Sequence, residues 1–211
     1  CSITIPHKID IIPLLDKTSE NVREMGACNT LYRDGEKICG ENTDVIGFTA
    51  PLRKRSLSPE TRVLVLGAGG VSRAAIAGLR RLGLANITLT NRRKERAEAL
   101  CNEFGLLCAP WEERGDVPAD LIINTTPLGM TGAQEHETPY PRAFQDNGIA
   151  YDLIYTPFQT RFLRDAAAAG WETVSGLDMF IGQGDAQFHL WTGHHLPEEA
   201  ITAVTSALYG Q

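Results

Sequence analysis

The chain has little of what several protein classes require. It holds no run approaching the roughly 20 apolar residues of a membrane span. It has no basic excess: 20 Lys and Arg against 26 Asp and Glu give a net charge of −6, which argues against a general nucleic-acid binder. Its five cysteines, Cys1, Cys28, Cys39, Cys101 and Cys108, are odd in number and contain no C-x-x-C pair. That pattern favours free thiols in a reducing, cytoplasmic setting over a disulfide frame or a zinc site. The five histidines show no metal spacing, and the adjacent His194 and His195 point apart on an extended chain. There is no G-x-S-x-G elbow, so a hydrolase triad has no support. The first residues, Cys1 to Lys8, lack the basic and apolar regions of a signal peptide. They also lack an initiator Met and open inside an expected strand, so the chain reads as a fragment.

What is present is the composition of an ordinary globular protein: 211 residues, 43% hydrophobic and 22% charged, without repeats or low-complexity tracts. The stretch that organises it runs from Arg62 to Ala75. Val63-Leu64-Val65-Leu66 reads as a parallel strand buried on both faces, followed at once by Gly67-Ala68-Gly69-Gly70 and a helical pattern. Strand, glycine turn and helix in that order suit a dinucleotide pyrophosphate, with its charge at a helix N-terminus; an ordinary βα turn is the plainer reading. Ser72 stands where that fingerprint wants a third small residue, a mild departure.

From residue 62 onward the pattern alternates. Strands are expected at 62–66, 86–90, 106–109, 120–124, 149–153 and 172–175. Helices are expected at 71–83, 93–104, 159–169, 178–191 and 197–209. This predicts an α/β fold with a Rossmann-like parallel sheet covered on both faces. Before it, residues 1–5 read as a short strand, 7–15 as a helix with Ile9, Ile12 and Leu15 on one side, and Asp34-Gly35 as a hairpin signal with Lys37–Glu41 returning. Asn42-Thr43-Asp44 offers a capping side chain for a helix to about Lys54. Ser56-Leu57-Ser58-Pro59-Glu60 is linker-like, which places a boundary near 55–61. Two units follow, one over 1–55 and a candidate nucleotide domain over 61–177. The two last helices, within 178–211, either cover the sheet or return to the N-terminal segment.

Three groups of residues carry candidate chemistry. After the second strand of the sheet, where an NAD site places an acid, stand Asn91-Arg92-Arg93-Lys94. A guanidinium matches a 2′-phosphate in charge and geometry, which selects NADP; a solvated basic helix start is the plainer reading. Asn124-Thr125-Thr126-Pro127-Leu128-Gly129-Met130 lies at the carboxyl end of a strand, where open α/β sheets bind ligands. Lys8 and Asp44 each stand at a helix start. Alone, each reads as solvated or capping; together they would form a proton donor and acceptor beside a hydride site.

These segments closely resemble the shikimate dehydrogenase family almost end to end. Thr4-Ile5-Pro6-His7-Lys8, Gly26-Ala27-Cys28-Asn29-Thr30 and Asn42-Thr43-Asp44-x-x-Gly47 are similar to its T-[IV]-P-[HF]-K, G-A-x-N-T and N-T-D-x-x-G motifs. Gly67-Ala68-Gly69-Gly70, Asn91-Arg92 and Asn124–Met130 match its nucleotide segments. Asp152-x-x-Tyr155-x-Pro157-x-x-Thr160 and Gly176-x-x-Met179-x-x-x-Gln183 also fit. The resemblance implies reduction of the 3-dehydroshikimate ketone by NADPH, and the reverse. It makes Lys8 and Asp44 the catalytic pair. Thr4, Asn29, Asp44, Tyr155 and Gln183 become hydrogen bonders to the substrate. Gly67, Ala68, Gly69, Gly70, Asn91, Arg92, Arg93, Thr125, Thr126, Pro127, Met130, Gly176 and Met179 become cofactor contacts. It also implies two α/β domains flanking a cleft, a partial substrate domain over 1–55 completed by the C-terminal helices of 178–211 and an NADP-binding domain over 61–177, with a monomer or homodimer as the assembly. Three features depart from the family. Ser2 stands where many members carry Asn, Arg93 where a Thr often follows, and the family's N-terminal segment with its S-x-S motif is missing. A quinate-preferring relative and a non-catalytic NADP-binding module are the competing readings.

Overall fold

The computed structural model describes residues 1–4 and 6–209. Ile5, at the end of the expected 1–5 strand, lies outside them. Within 1–4 the extended chain makes only a bridge, Ser2 to Thr30, so the expected strand is reduced to one pairing. Residues 7–15 do not form the expected helix. They are turns and a single 3₁₀ turn over Ile12–Leu14. Pro13 explains this: it has no N–H for the carbonyl four residues back, and its ring clashes there. Ile9 and Leu14 are left exposed, so no apolar face is buried.

The chain then forms β1 (Lys17–Thr18) and α1 (Glu20–Met25). The second was missed in the sequence, although Ser19 caps it by accepting from the Val22 amide and Gly26 ends it in the left-handed region, φ 61°. Next come β2 (Thr30–Asp34) and β3 (Lys37–Glu41), joined through the Gly35 turn as expected. They pair antiparallel, and β1 adds in parallel to give a sheet ordered β1-β3-β2. Helix α2 (Asp44–Arg53) follows. The expected capping side chain in Asn42-Thr43-Asp44 is that of Asn42, whose Oδ1 accepts from the Asp44 amide at 3.0 Å, which leaves the Thr43 hydroxyl for other partners.

After residues 54–62, which hold no helix or strand, the α/β alternation appears as read: β4 (Val63–Leu66), α3 (Gly70–Arg81), β5 (Ile87–Thr90), α4 (Lys94–Phe104), β6 (Leu107–Cys108), β7 (Leu121–Asn124), β8 (Ile149–Asp152), α5 (Arg161–Ala168), β9 (Glu172–Val174), α6 (Gly176–Thr192) and α7 (Glu198–Tyr209). The strands form one parallel sheet in the order β6-β5-β4-β7-β8-β9. Because successive strand residues face opposite sides, Val63 and Val65 pack under α2, α3, α4 and α6. Leu64 and Leu66 pack under α5 with Phe144, Phe162 and Trp171.

The two last helices divide the alternatives left open by the sequence. α6 sends Met179 into the sheet's core and Gln187 against the N-terminal segment, while α7 has no buried residue. α6 meets α2 at Gly47, where an added Cβ would lie 2.5 Å from the Met179 carbonyl oxygen and 2.7 Å from the Gln183 amide nitrogen. Gly47→Ala therefore separates the two helices that place Asp44 and Gln183. Denaturant unfolding is expected to show a loss of about 1–3 kcal/mol. A loss within error would mean that the helices adjust freely there.

Candidate active site

Lys8 and Asp44 are 36 residues apart, and backbone hydrogen bonds bring them together. The Ile3 amide donates to the Asn29 carbonyl at 2.7 Å and the Cys28 amide to the Lys8 carbonyl at 2.7 Å, which sets Ile3 and Lys8 against the chain entering β2. Asp44 opens α2 immediately after β3. The Lys8 ammonium donates to Asp44 Oδ2 at 2.7 Å, with the two side chains 27% and 20% exposed. They are shielded from bulk solvent but open on one side.

That carboxylate is held in place from behind. Asn29 Nδ2 donates to Asp44 Oδ1 at 2.9 Å and to Thr43 Oγ1 at 3.0 Å. Asn29 Oδ1 accepts from the Thr43 amide and the Thr30 hydroxyl, both at 2.8 Å. The amide of Asn29 is thereby fixed in orientation, and with it the face that Asp44 presents. Gln183 Oε1 lies 3.4 Å from both Asn29 Nδ2 and Gln187 Nε2, which carries the network onto α6. Thr43, Thr30 and Gln187 are not among the candidate site residues, although Thr30 and Thr43 adjoin Asn29 and Asp44 in the quoted motifs.

The open side is a cleft of about 740 Å³. Thr4, Lys8, Asn29, Asp44, Tyr155 and Gln183 line it, and so do Thr125, Thr126, Pro127, Met130, Gly176 and Met179. Ser2, Ile3, Val71, Leu153, Ile154, Thr156 and Phe180 line it as well and were not among the candidates. Phe180 stacks on Tyr155, with ring centroids 5.2 Å apart, and forms an aromatic wall on the α6 side.

Gly67, Ala68, Gly69, Gly70, Asn91, Arg92 and Arg93 are not part of that lining and sit beyond Thr125. Gly67 has φ 115°, and a Cβ there would strike the Thr125 hydroxyl, so the turn and the loop after β7 touch only because this residue is glycine. Ser72 does more than pack: its hydroxyl accepts from the Gly69 amide at 3.0 Å and lies 2.8 Å from Thr125 Oγ1. A Gly or Ala there would supply no such tie. The Gly70 and Val71 amides, in the first turn of α3, have no protein acceptor among the described residues. They present donors at the positive end of a helix, as a pyrophosphate requires. Asn91 joins this turn to the basic segment: its Oδ1 accepts from the Ala68 amide at 3.3 Å and its Nδ2 donates to the Arg93 carbonyl at 2.9 Å. Arg92 and Arg93 are exposed and form no ion pair among the described residues. Two uncompensated guanidinium groups beside the Gly67–Gly70 turn suit a 2′-phosphate.

Beneath the cleft, the ends of β7 and β8 are joined by a buried polar cluster. Asp152 accepts from Asn124 Nδ2 at 2.9 Å, the Ile154 amide at 3.0 Å and the Thr160 hydroxyl at 2.6 Å. Asn124 Oδ1 accepts from the amide and the hydroxyl of Thr126 at 2.9 and 2.7 Å. Burial pushes the Asp152 carboxyl up to about 7, against the downward pull of its three donors. The cluster fixes both loops that line the cleft from the sheet side.

Comparison with known proteins matches three family descriptions along the chain. They are the shikimate dehydrogenase substrate binding domain over residues 1–31, shikimate / quinate 5-dehydrogenase over 52–113, and the shikimate 5′-dehydrogenase C-terminal domain over 176–204. A shikimate dehydrogenase (NADP(+)) from Pelobacter propionicus is 55% identical over 209 residues, covering 98% of this chain and 76% of that protein. Among solved structures, shikimate 5-dehydrogenase from Thermus thermophilus in complex with NADP(H) and shikimate superimposes with a TM-score of 0.85. It is 36% identical, over 98% of this chain and 78% of that one. A quinate dehydrogenase from Corynebacterium glutamicum in complex with NAD reaches a TM-score of 0.85 at 29% identity, over 98% and 77% of the two chains.

Proposed function

The chain belongs to the shikimate dehydrogenase family, and we propose that Lys8 and Asp44 perform the proton transfer of an NADP-dependent interconversion of 3-dehydroshikimate and shikimate. The observation that carries this reading is the 2.7 Å Lys8–Asp44 pair opening into the same cleft as the Thr125–Met130 loop. NADP(H), when bound, supplies or takes up the hydride. In the oxidative direction the ring hydroxyl gives its proton to Lys8 while its carbon loses hydride, so the C–O single bond becomes a carbonyl. In the reductive direction the Lys8 ammonium delivers the proton to the oxygen on which negative charge develops. Asp44 holds the ammonium in place and balances its charge. Thr4, Asn29, Tyr155 and Gln183 provide the donors and acceptors that a polyhydroxylated carboxylate ring needs.

Gly67, Ala68, Gly69 and Gly70 would receive the pyrophosphate, and Asn91, Arg92 and Arg93 the phosphorylated ribose. Thr125, Thr126, Pro127, Met130, Gly176 and Met179 would frame the nicotinamide end. In this reading residues 1–55 with 178–211 form the substrate side and 61–177 the nucleotide side, in a cytoplasmic enzyme. The described residues contain no helix long and apolar enough to cross a membrane.

A steady-state assay with shikimate and with quinate, each with NADP and with NAD, tests the assignment. Shikimate with NADP is expected to give the highest kcat/KM. A preference for quinate or for NAD would move the chain to another branch of the family. The double substitution Arg92→Ala, Arg93→Ala is expected to lower kcat/KM for NADP about 10–100-fold, the worth of one or two charge-assisted hydrogen bonds, and to leave NAD nearly unaffected. An unchanged NADP-to-NAD ratio would remove both arginines from the cofactor site.

A further inference from the structure

Away from the cleft, two cysteines converge at the outer edge of the large sheet. In the parallel register Cys108 of β6 is the partner of Leu89 of β5, so their side chains leave the same face. Leu89 packs in the core beneath α4, and Cys101 enters the same core from α4 itself. The Cys101 thiol lies 3.5 Å from the Leu107 carbonyl oxygen, the atom just before Cys108 in the backbone. The register and that contact bring the Cys108 side chain to the face of the sheet that Cys101 packs against from α4. Their exposure differs sharply: Cys101 is 4% exposed, whereas Cys108 opens to solvent.

We propose that Cys108 and Cys101 form a peroxide-reactive dithiol, with exposed Cys108 as the attacking thiol and buried Cys101 as the resolving one. The Cys108 thiolate attacks one oxygen of a hydroperoxide, the O–O bond breaks, and Cys108 becomes a sulfenic acid while water or an alcohol leaves. Cys101 sulfur then attacks the Cys108 sulfur, and the hydroxyl leaves as water with the Cys101 proton. Each peroxide consumed is reduced by two electrons and one disulfide forms. Burial and the neighbouring sulfur push the Cys101 thiol up to about 12, so it stays protonated and is not the first target. The bond ties α4 to β6, which is otherwise held by a two-residue ladder, on the helix that follows Arg92 and Arg93.

The test uses the full chain carrying Cys1→Ser, which removes the other exposed thiol. After treatment with hydrogen peroxide at slight excess, the intact mass is expected to fall by two hydrogen atoms. Peptide mapping should then join the segments holding Cys101 and Cys108, and reductant should restore the mass. Cys108→Ser, an exposed change that leaves the core alone, should abolish the loss. Cys101→Ala should leave Cys108 as a sulfenic acid captured by dimedone. A disulfide between other cysteines, a cross-linked dimer, a Cys108 oxidised without bonding to Cys101, or an unreactive protein would each overturn the proposal.

Discussion

Replacing Lys8 with methionine is expected to lower kcat about 10²–10⁴-fold, the range a positioned general acid or base contributes. The affinity for NADPH should stay within about twofold, because the proposed reading sets the lysine against the substrate and not the cofactor. Folding is not the explanation to fear. The side chain is 27% exposed, and its removal leaves Asp44 still bonded to Asn29 at 2.9 Å. The kinetic split separates two roles. If Lys8 only gripped a substrate hydroxyl, KM would rise with kcat intact; a proton carrier shows its loss in kcat and kcat/KM together. Turnover equal to that of the unmodified chain would take Lys8 out of the mechanism.

The Lys8–Asp44 pair also marks where the sequence stops speaking. Val63–Leu66, Gly67 and the helical pattern after it were legible because each depends on neighbours in the chain: burial on both faces, a turn that only glycine tolerates, a period of 3.6. The same local signals placed every strand of the large sheet to within a residue or two. They failed at His7–Leu15, where the apolar spacing looked helical and Pro13 was given too little weight. They failed again at Glu20–Met25, a helix short enough that its Ser19 cap and Gly26 stop were its only signature. The site itself is not local. Nothing in the spacing of Lys8, Asn29, Asp44 and Gln183 says that one carboxamide bonds to both Thr43 and Asp44, or that Gln183 reaches it from a helix about 150 residues away. That information resides in the crossing of α2 and α6 at Gly47. Motif resemblance supplied the residues; it supplied no geometry.

The buried cluster under the cleft gives the second large effect, in stability. Raising the pH from about 5 to about 8 should cost the chain about 2–3 kcal/mol through Asp152 alone. In the folded chain its carboxyl sits at about 7, whereas the usual value is 3.8. Between those values the folded state holds a proton that the unfolded state has released. The unfolded state therefore gains relative stability as pH rises, and the loss is complete once pH passes the folded value. Asp152→Asn is the discriminating variant, because it mimics the protonated form. Its Oδ1 can still accept from Asn124 Nδ2 and the Ile154 amide, while its Nδ2 donates to the Thr160 hydroxyl in place of the carboxyl proton. Urea unfolding at the two pH values should show this variant less sensitive to pH than the parent, by the same 2–3 kcal/mol, and more stable than the parent at about pH 8. Asp152→Ala should instead lose stability at both, since it strands Asn124 and Thr160 without their acceptor. Parallel pH dependences for the parent and Asp152→Asn would mean that the carboxylate is ionised throughout, its three donors outweighing its burial.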